Sequence, residues 1–157
     1  MKALVVYYSL EGNTKKLAQQ LADYLKAETL ELKPTKEVNG EKRSKYLWGG
    51  RQAMMKTKPT LQTYEFDQDN YDLIALGTPV WAMTYSPPLR SFLSENSLKN
   101  KKIILFCTHE GGAGRTIKKL NEDLDESNTV ISSVDFNRSD PDYQSQIKEW
   151  LSSIPAE

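Results

Sequence analysis

The sequence predicts an α/β fold with a doubly wound, five-stranded parallel sheet in the order 2-1-3-4-5 and helices on both faces. Apolar strand-like segments alternate with amphipathic helical segments along the 157 residues, which is typical of parallel sheets. The first strand runs through a short polar loop directly into a helix. Unusual loops also follow the third and fourth strands, at the sheet edge where ligands bind in such folds. One domain, residues 1–157, is expected for this length.

The first strand is predicted over residues 3–8, where every side chain is apolar or aromatic. Such a run is typical of a central strand that is buried on both faces. Residues 9–14 are small and polar and include Gly12, and a helical pattern follows over about residues 14–27. Free backbone N–H groups and the positive end of the helix dipole meet at this junction, so it predicts a phosphate-binding site.

Residues 28–33 alternate between polar and apolar side chains and predict a second strand nearer the sheet edge. Pro34 ends this strand. Residues 44–56 place their apolar side chains on one helical face, which predicts a helix weakened by Gly49 and Gly50.

The third strand is predicted to begin at residue 72 and to run into a loop over residues 77–82. Two prolines then begin a helix at residues 87–88, where proline is tolerated in the first turn. The fourth strand, residues 101–107, runs into a glycine-rich loop over residues 108–115 and then into another helix.

The last strand and helix are predicted over residues 130–136 and 141–154. Apolar residues make up 38% of the chain and charged residues 27%, which is typical of a globular protein. No apolar run is long enough to predict a membrane span, and no signal peptide is recognised. Lys and Arg balance Asp and Glu at 21 each, so nucleic acid is not an expected partner.

The chain contains one cysteine, Cys107, and one histidine, His109. A single cysteine forms no internal disulfide and fits a reducing compartment, so a cytoplasmic protein is expected. A structural metal site is not expected from so few ligands. His109 is interpreted as a capping or surface residue and not as a catalytic base.

The polar loop after the first strand lacks the motifs of two common phosphate loops. The chain contains no G-x-x-x-x-G-K-[ST] run and no G-x-G-x-x-G run, which argues against nucleoside triphosphates and dinucleotides. Instead, Ser9-x-Glu11-Gly12-Asn13-Thr14 resembles the flavodoxin loop [ST]-x-[TSE]-G-x-T, which holds the terminal phosphate of FMN. For this loop alone, an ordinary strand-to-helix connection capped by Thr or Asn is the alternative.

The loops after the third and fourth strands predict the walls of a site for a flat ring. Trp81 is placed to stack on such a ring, although it also fits a tryptophan that packs back onto the sheet edge. Three glycines in residues 108–114 let main-chain N–H groups approach the ring closely. Reduction of a flavin places negative charge near N1, so these N–H groups raise its potential and Glu110 lowers it.

Over nearly its whole length the chain resembles the flavodoxin-like family. The closest resemblance is to small relatives with GTPVWA and PPLRSFL segments after strand three and T-x-E-G-G-x-G-R after strand four. This resemblance implies FMN as cofactor, redox activity and a short-chain form. It implies that the cofactor-binding residues are Ser9, Leu10, Glu11, Gly12, Asn13 and Thr14 at the phosphate, with Thr78, Pro79, Val80, Trp81, Ala82, Thr108, His109, Glu110, Gly111 and Gly112 flanking the ring.

The chain departs from typical flavodoxin electron shuttles in three respects. Its charge is balanced, whereas those shuttles are usually strongly acidic. The loop after strand four contains no aromatic residue, so one ring face is expected to be open to a substrate. The segment Val80–Met83 lacks the glycine at which a peptide flips to stabilise the one-electron-reduced flavin.

Several functions are compatible with these patterns. The preferred one is electron transfer with a redox partner protein; the alternative is an FMN-dependent NAD(P)H oxidoreductase that reduces a small quinone-like acceptor. The third and most remote possibility is a binding module of the same fold that holds no cofactor. The acidic residues of a response-regulator receiver are absent, and seven residues separate Cys107 from Arg115 where a low-molecular-weight phosphatase has five. No catalytic residue is assigned, and the oligomeric state is left open.

Overall fold

The computed structural model describes residues 1–36 and 58–155. The chain folds into alternating strands and helices, and a short 3₁₀ turn at Gln68–Asn70 precedes the third strand. The strands are β1 (Ala3–Tyr7), β2 (Glu28–Glu31), β3 (Leu73–Trp81), β4 (Thr84–Tyr85), β5 (Lys102–His109) and β6 (Thr129–Asn137). The helices are α1 (Asn13–Leu25), α2 (Pro87–Glu95), α3 (Thr116–Asp123) and α4 (Tyr143–Ser153).

Five of these strands form a parallel sheet in the order β2-β1-β3-β5-β6. This confirms the predicted order, because β5 and β6 are the fourth and fifth parallel strands along the chain. The partly exposed β2 lies at one edge of the sheet, as its alternating pattern predicts.

The structure corrects the loop predicted over residues 77–82. Residues 77–81 continue β3, and β3 then turns back into the antiparallel two-residue strand β4. Val80 pairs with Tyr85 and Trp81 pairs with Thr84. This ladder keeps the end of β3 extended beyond the point where the polar and proline residues suggest a loop.

The core has two layers, one on each face of the sheet. Alternate β1 side chains enter opposite layers, because successive residues of a strand point to opposite faces. One layer includes Leu4, Val6, Ile74, Leu76, Leu89, Phe92, Ile103, Leu105 and Leu120, and the other includes Ala3, Val5, Tyr7, Leu17, Leu21, Ile104, Phe106, Ile147 and Trp150. The helices therefore cover both faces, with α2 and α3 on one side and α1 and α4 on the other.

Several element ends differ from the predicted bounds by one or two residues. Helix α1 ends at Leu25, because Lys26 adopts a left-handed conformation with φ 54° and donates to Ala22 and Asp23. Strand β5 extends to His109, since it pairs with β6 as far as Asn137. The helix predicted over residues 44–56 lies outside the described residues.

Within the described part of the chain, no helix is both long and apolar enough to cross a lipid bilayer.

Candidate functional site

A cleft of about 430 Å³ opens at the carboxyl ends of the parallel strands. The segments that follow β1, β5 and β6, together with the end of β3, form its walls. Cofactor and small-molecule sites commonly have this size and this position in a doubly wound sheet. The lining residues are Ser9, Leu10, Glu11, Asn13, Thr14, Pro79, Val80, Trp81, Met83, Thr108, His109, Glu110, Gly111, Gly112 and Arg138.

The loop between β1 and α1 is held in shape by Ser9. The Ser9 Oγ atom accepts hydrogen bonds from the Gly12 N–H at 3.0 Å and the Lys15 N–H at 3.1 Å. Gly12 has φ 96°, a left-handed conformation that a side chain would strain, and its carbonyl accepts from the Lys16 N–H.

This geometry leaves hydrogen-bond donors at the beginning of α1. The N–H groups of Asn13 and Thr14 have no hydrogen-bond partner among the described residues. The first turn of the helix also contains no acidic residue. Free N–H groups and the positive helix dipole make this end of the cleft suitable for an anion.

A buried hydroxyl pair connects this loop to the neighbouring wall. Thr14 Oγ1 and Thr108 Oγ1 lie 3.1 Å apart, and each side chain is 2% exposed. One hydroxyl donates to the other, which ties the first turn of α1 to the end of β5. The predicted phosphate ligand Thr14 therefore also has a structural contact across the cleft.

Trp81 lines the cleft and also packs against the protein. Its side chain is only 5% exposed, and its ring meets Tyr8 edge to face, with centroids 5.7 Å apart and planes at 89°. Both sequence interpretations thus describe part of its placement, because the ring belongs to the core and also borders the cleft. Its stacking on a ligand ring stays a prediction.

The β3–β4 turn forms one rim of the cleft. Ala82 and Met83 have φ values of 49° and 68°, so two consecutive residues with side chains adopt left-handed conformations. Positive φ at both central positions matches the tight turns that suit β-hairpins. The Met83 carbonyl accepts from the Arg115 N–H at 2.9 Å, while the Met83 side chain is 62% exposed and borders the cleft.

His109 is buried, which corrects the prediction of a surface residue and agrees with that of a capping one. Its Nδ1 atom accepts from the Gly112 N–H at 2.9 Å, and its Nε2 atom lies 2.8 Å from Asp135 Oδ1. Since Gly112 donates to Nδ1, the hydrogen of the neutral ring is on Nε2 and is donated to the carboxylate. His109 thereby holds the glycine loop against β6.

Arg138, just after β6, is a cleft residue that the sequence analysis missed. Its Nη2 atom lies 3.4 Å from Glu110 Oε1, and its backbone N–H donates to the His109 carbonyl at 2.8 Å. One signal was available in the sequence, because Arg138 directly follows the fifth strand, at the same sheet edge as the other three loops. Met83 is the second missed lining residue.

Three of the predicted binding residues do not line the cleft: Gly12, Thr78 and Ala82. Gly12 shapes the first loop, and Ala82 lies exposed in the rim turn. Thr78 is fully buried, where its hydroxyl donates to the Pro79 carbonyl at 2.7 Å and accepts from the Ser86 N–H at 2.9 Å. Its side chain supports the β3–β4 hairpin from within.

Cys107 is fully buried in β5, as expected of a core residue. Burial, and then the nearby Asp135 carboxylate, raise the pKa of its thiol well above the usual range. The thiolate that a nucleophile requires is therefore disfavoured.

The cleft combines two chemical environments. Its α1 end presents free N–H donors to an anion, and its other walls present Leu10, Val80 and Trp81 beside the exposed main chain of Gly111 and Gly112. An elongated ligand with an anionic group at one end and a flat polar ring at the other fits this arrangement.

The chain matches a protein-family model. The model is described as Flavodoxin, and it covers residues 2–154.

One curated relative is the flavodoxin-like domain-containing protein BilS of Clostridioides difficile strain CD3. It is 30% identical over 138 residues, which are 85% of this chain and 64% of the relative's length. The chain thus spans somewhat less than two thirds of that protein.

Solved structures with the same fold include a flavoprotein of Lactobacillus acidophilus NCFM in complex with FMN. It is 25% identical, with a TM-score of 0.75, over 95% of this chain and 97% of that one. Oxidised flavodoxin 1 of Bacillus cereus is 16% identical, with a TM-score of 0.57, over 99% of this chain and 100% of its own. The second likeness shows the fold alone.

Proposed function

The chain belongs to the flavodoxin family, whose model spans residues 2–154, and on that premise we propose that it binds FMN in the cleft and takes part in electron transfer. When bound, FMN supplies one- and two-electron chemistry, while the protein supplies binding, orientation and electrostatics. The observation that carries the proposal is the single cleft that joins the free N–H groups of α1 to the glycine loop after β5.

The α1 end of the cleft suits the FMN phosphate. The Asn13 and Thr14 N–H groups supply donors there, and Ser9 holds the loop in the conformation that exposes them. Because no acidic side chain lies in the first helical turn, the helix dipole favours a dianion at this position.

The opposite part of the cleft suits the flavin ring. Trp81, Val80 and Leu10 provide apolar surface, and the exposed main chain of residues 110–112 provides donors and acceptors for the ring's polar edge. His109 fixes this loop through its bond with Gly112, so the polar main-chain groups are held in place before the ligand arrives.

We place an electron carrier for a redox partner protein ahead of a reductase, because the family model that spans residues 2–154 is described as Flavodoxin. A single cysteine favours a reducing compartment, and this supports the proposal that the protein acts in the cytoplasm. The second candidate is an FMN-dependent NAD(P)H oxidoreductase for quinone-like acceptors. The sequence of residues 110–115 favours this oxidoreductase, because it contains no aromatic side chain that could cover the flavin ring and so leaves one ring face open to a substrate.

The test of FMN binding compares FMN with riboflavin, which lacks the phosphate, by quenching of flavin fluorescence. Wild-type protein is expected to bind FMN more tightly than riboflavin. In S9A the loop loses the acceptor for two N–H groups, so the Kd for FMN is expected to rise about tenfold or more while the Kd for riboflavin changes little. S94A, which removes an exposed hydroxyl from α2, serves as the matched control.

Failure of the wild type to bind FMN would overturn the proposal. An equal loss of affinity for FMN and for riboflavin in S9A would show that the phosphate does not bind at the α1 end of the cleft.

Anaerobic titration of the FMN-loaded protein with NADPH then separates the two roles. Direct bleaching of the flavin would establish the reductase. Persistence of the oxidised spectrum until dithionite is added would support the carrier.

A further inference from the structure

We propose that Arg138 is a cofactor-binding residue whose positive charge stabilises reduced FMN, and that Glu110 moderates this effect. The inference rests on the proposed function. Reduction of FMN by two electrons and one proton leaves one additional negative charge on the flavin, near N1. A fixed positive charge at the ring end of the cleft therefore favours the reduced form over the oxidised form.

Arg138 lies beside the loop that follows β5. Its N–H donates to the His109 carbonyl at 2.8 Å, and its Nη2 atom lies 3.4 Å from Glu110 Oε1 in that loop. These two contacts place Arg138 next to the segment that we assign to the flavin ring. Thr14 of the phosphate end also reaches Thr108 at the end of β5, so the comparison of FMN with riboflavin in R138Q is the test that separates the two ends of the ligand.

The Arg138 guanidinium is poorly solvated and incompletely paired. Its side chain is 18% exposed, and the buried Nε atom has no hydrogen-bond partner among the described residues. The contact from Nη2 to Glu110 Oε1 is 3.4 Å, which is long for a charge-assisted hydrogen bond. Because Glu110 pairs with it only at this distance, the guanidinium keeps most of its charge for a ligand.

The charges around the cleft leave Arg138 as the main positive group at the ring end. Among the described lining residues it is the one cationic side chain, and Glu11 and Glu110 are the acidic ones. Glu11 lies in the phosphate loop after β1. Glu110 is 67% exposed, so water screens its charge and its neutralising effect on Arg138 is partial.

The experiment measures the two-electron midpoint potential of FMN-loaded protein by equilibration with reference dyes. In R138Q the ratio of affinities for reduced and oxidised FMN should fall at least about tenfold, which lowers the potential by about 30 mV. R138K keeps the charge and should hold this ratio within about twofold of wild type. E110Q should raise the potential by a smaller amount. If R138Q fails to fold, R138M, which removes the charge and keeps an unbranched apolar side chain, carries the same test.

R115Q is the matched control, because Arg115 is a nearby exposed arginine that does not line the cleft. It should leave the potential at the wild-type value. The Kd of R138Q for oxidised FMN, measured by fluorescence quenching, should rise less than the Kd for reduced FMN. It should rise by the same factor for riboflavin, so the preference for FMN over riboflavin should be unchanged.

Three outcomes would overturn the inference while the proposed function stands. The first is a midpoint potential in R138Q or E110Q that equals the wild-type value. The second is a shift of the potential in R115Q as large as the shift in R138Q. The third is a loss of affinity in R138Q for FMN but not for riboflavin, which would assign Arg138 to the phosphate. If the wild-type protein binds no FMN, the proposed function fails first and this inference falls with it.

Discussion

His109 connects two segments that lie 26 residues apart in the chain. One ring nitrogen accepts from the glycine loop and the other donates to Asp135, so a single side chain determines how the loop after β5 lies against β6. Each contact uses one ring nitrogen, and the two contacts can therefore be removed separately.

Substitution of His109 by Asn and by Gln is expected to have different effects. Asn places an amide oxygen near the position of Nδ1 and can still accept from Gly112, whereas Gln reaches toward Asp135 and leaves the Gly112 N–H without its acceptor. We expect the Kd for FMN to stay within about threefold of wild type in H109N and to rise about tenfold in H109Q. Fluorescence titration measures both; equal losses in the two variants would show that the Gly112 contact is not the one that matters.

At the scale of single elements, β3 determines how closely the central strands pack. Gly77 pairs with Phe106 of β5, and a Cβ atom at position 77 would lie 2.2 Å from Phe106 Cζ. The fully buried Phe106 ring thus occupies space that any side chain at position 77 would need. Glycine is required here for close approach between two strands that end at the cleft.

G77A is expected to destabilise the protein by about 1–3 kcal/mol, the usual cost of overpacking a core. Urea unfolding monitored by circular dichroism would show a lower midpoint with an unchanged slope. The double variant G77A/F106L should recover part of the loss, since the smaller residue makes room for the added methyl group. A wild-type midpoint in G77A would mean that the Phe106 ring moves aside without cost.

At the scale of the whole molecule, the five-stranded sheet and its order follow from local sequence signals. The apolar run of β1, the prolines at the beginning of α2 and the glycines after β5 each mark an element or a boundary without reference to distant residues. The phosphate loop is equally local, because Ser9 and Gly12 lie within one turn of chain.

The features that escaped prediction depend on contacts between distant segments. The burial of His109 requires Asp135, and Arg138 reaches the cleft only because β6 lies next to β5. The continuation of β3 into a hairpin depends on Ala82 and Met83, which are not the glycine or asparagine that usually mark such a turn.

The buried tyrosines make the folded state sensitive to alkaline pH. Burial, and then the nearby Glu31 carboxylate, raise the pKa of Tyr7 from 10.0 to about 12. The folded protein therefore retains the phenol proton in a range where the unfolded chain has lost it. This contribution to stability is complete below pH 10 and is lost as the pH rises toward 12.

Y7F is expected to reduce this alkaline loss of stability. Phe keeps the ring and has no proton to lose, so the unfolding midpoint should fall less between pH 10 and pH 11.5 than in wild type. Y24F, at an exposed tyrosine, should show the wild-type dependence. Urea unfolding at a series of pH values measures both; identical pH dependence in Y7F and wild type would contradict the role of Tyr7.

Because Cys107 is buried, the rate at which its thiol reacts with a probe measures how often the sheet opens. The chain contains one thiol, and that thiol is fully buried in β5 directly before the cleft residue Thr108. A thiol-reactive probe can modify it only when the strand separates from its neighbours, so the labelling rate follows the opening of the sheet. A ligand that binds only the closed form slows this reaction by the factor 1 + [L]/Kd. The half-life of Cys107 labelling therefore measures how much of the cleft is occupied, and no residue has to be introduced for the purpose.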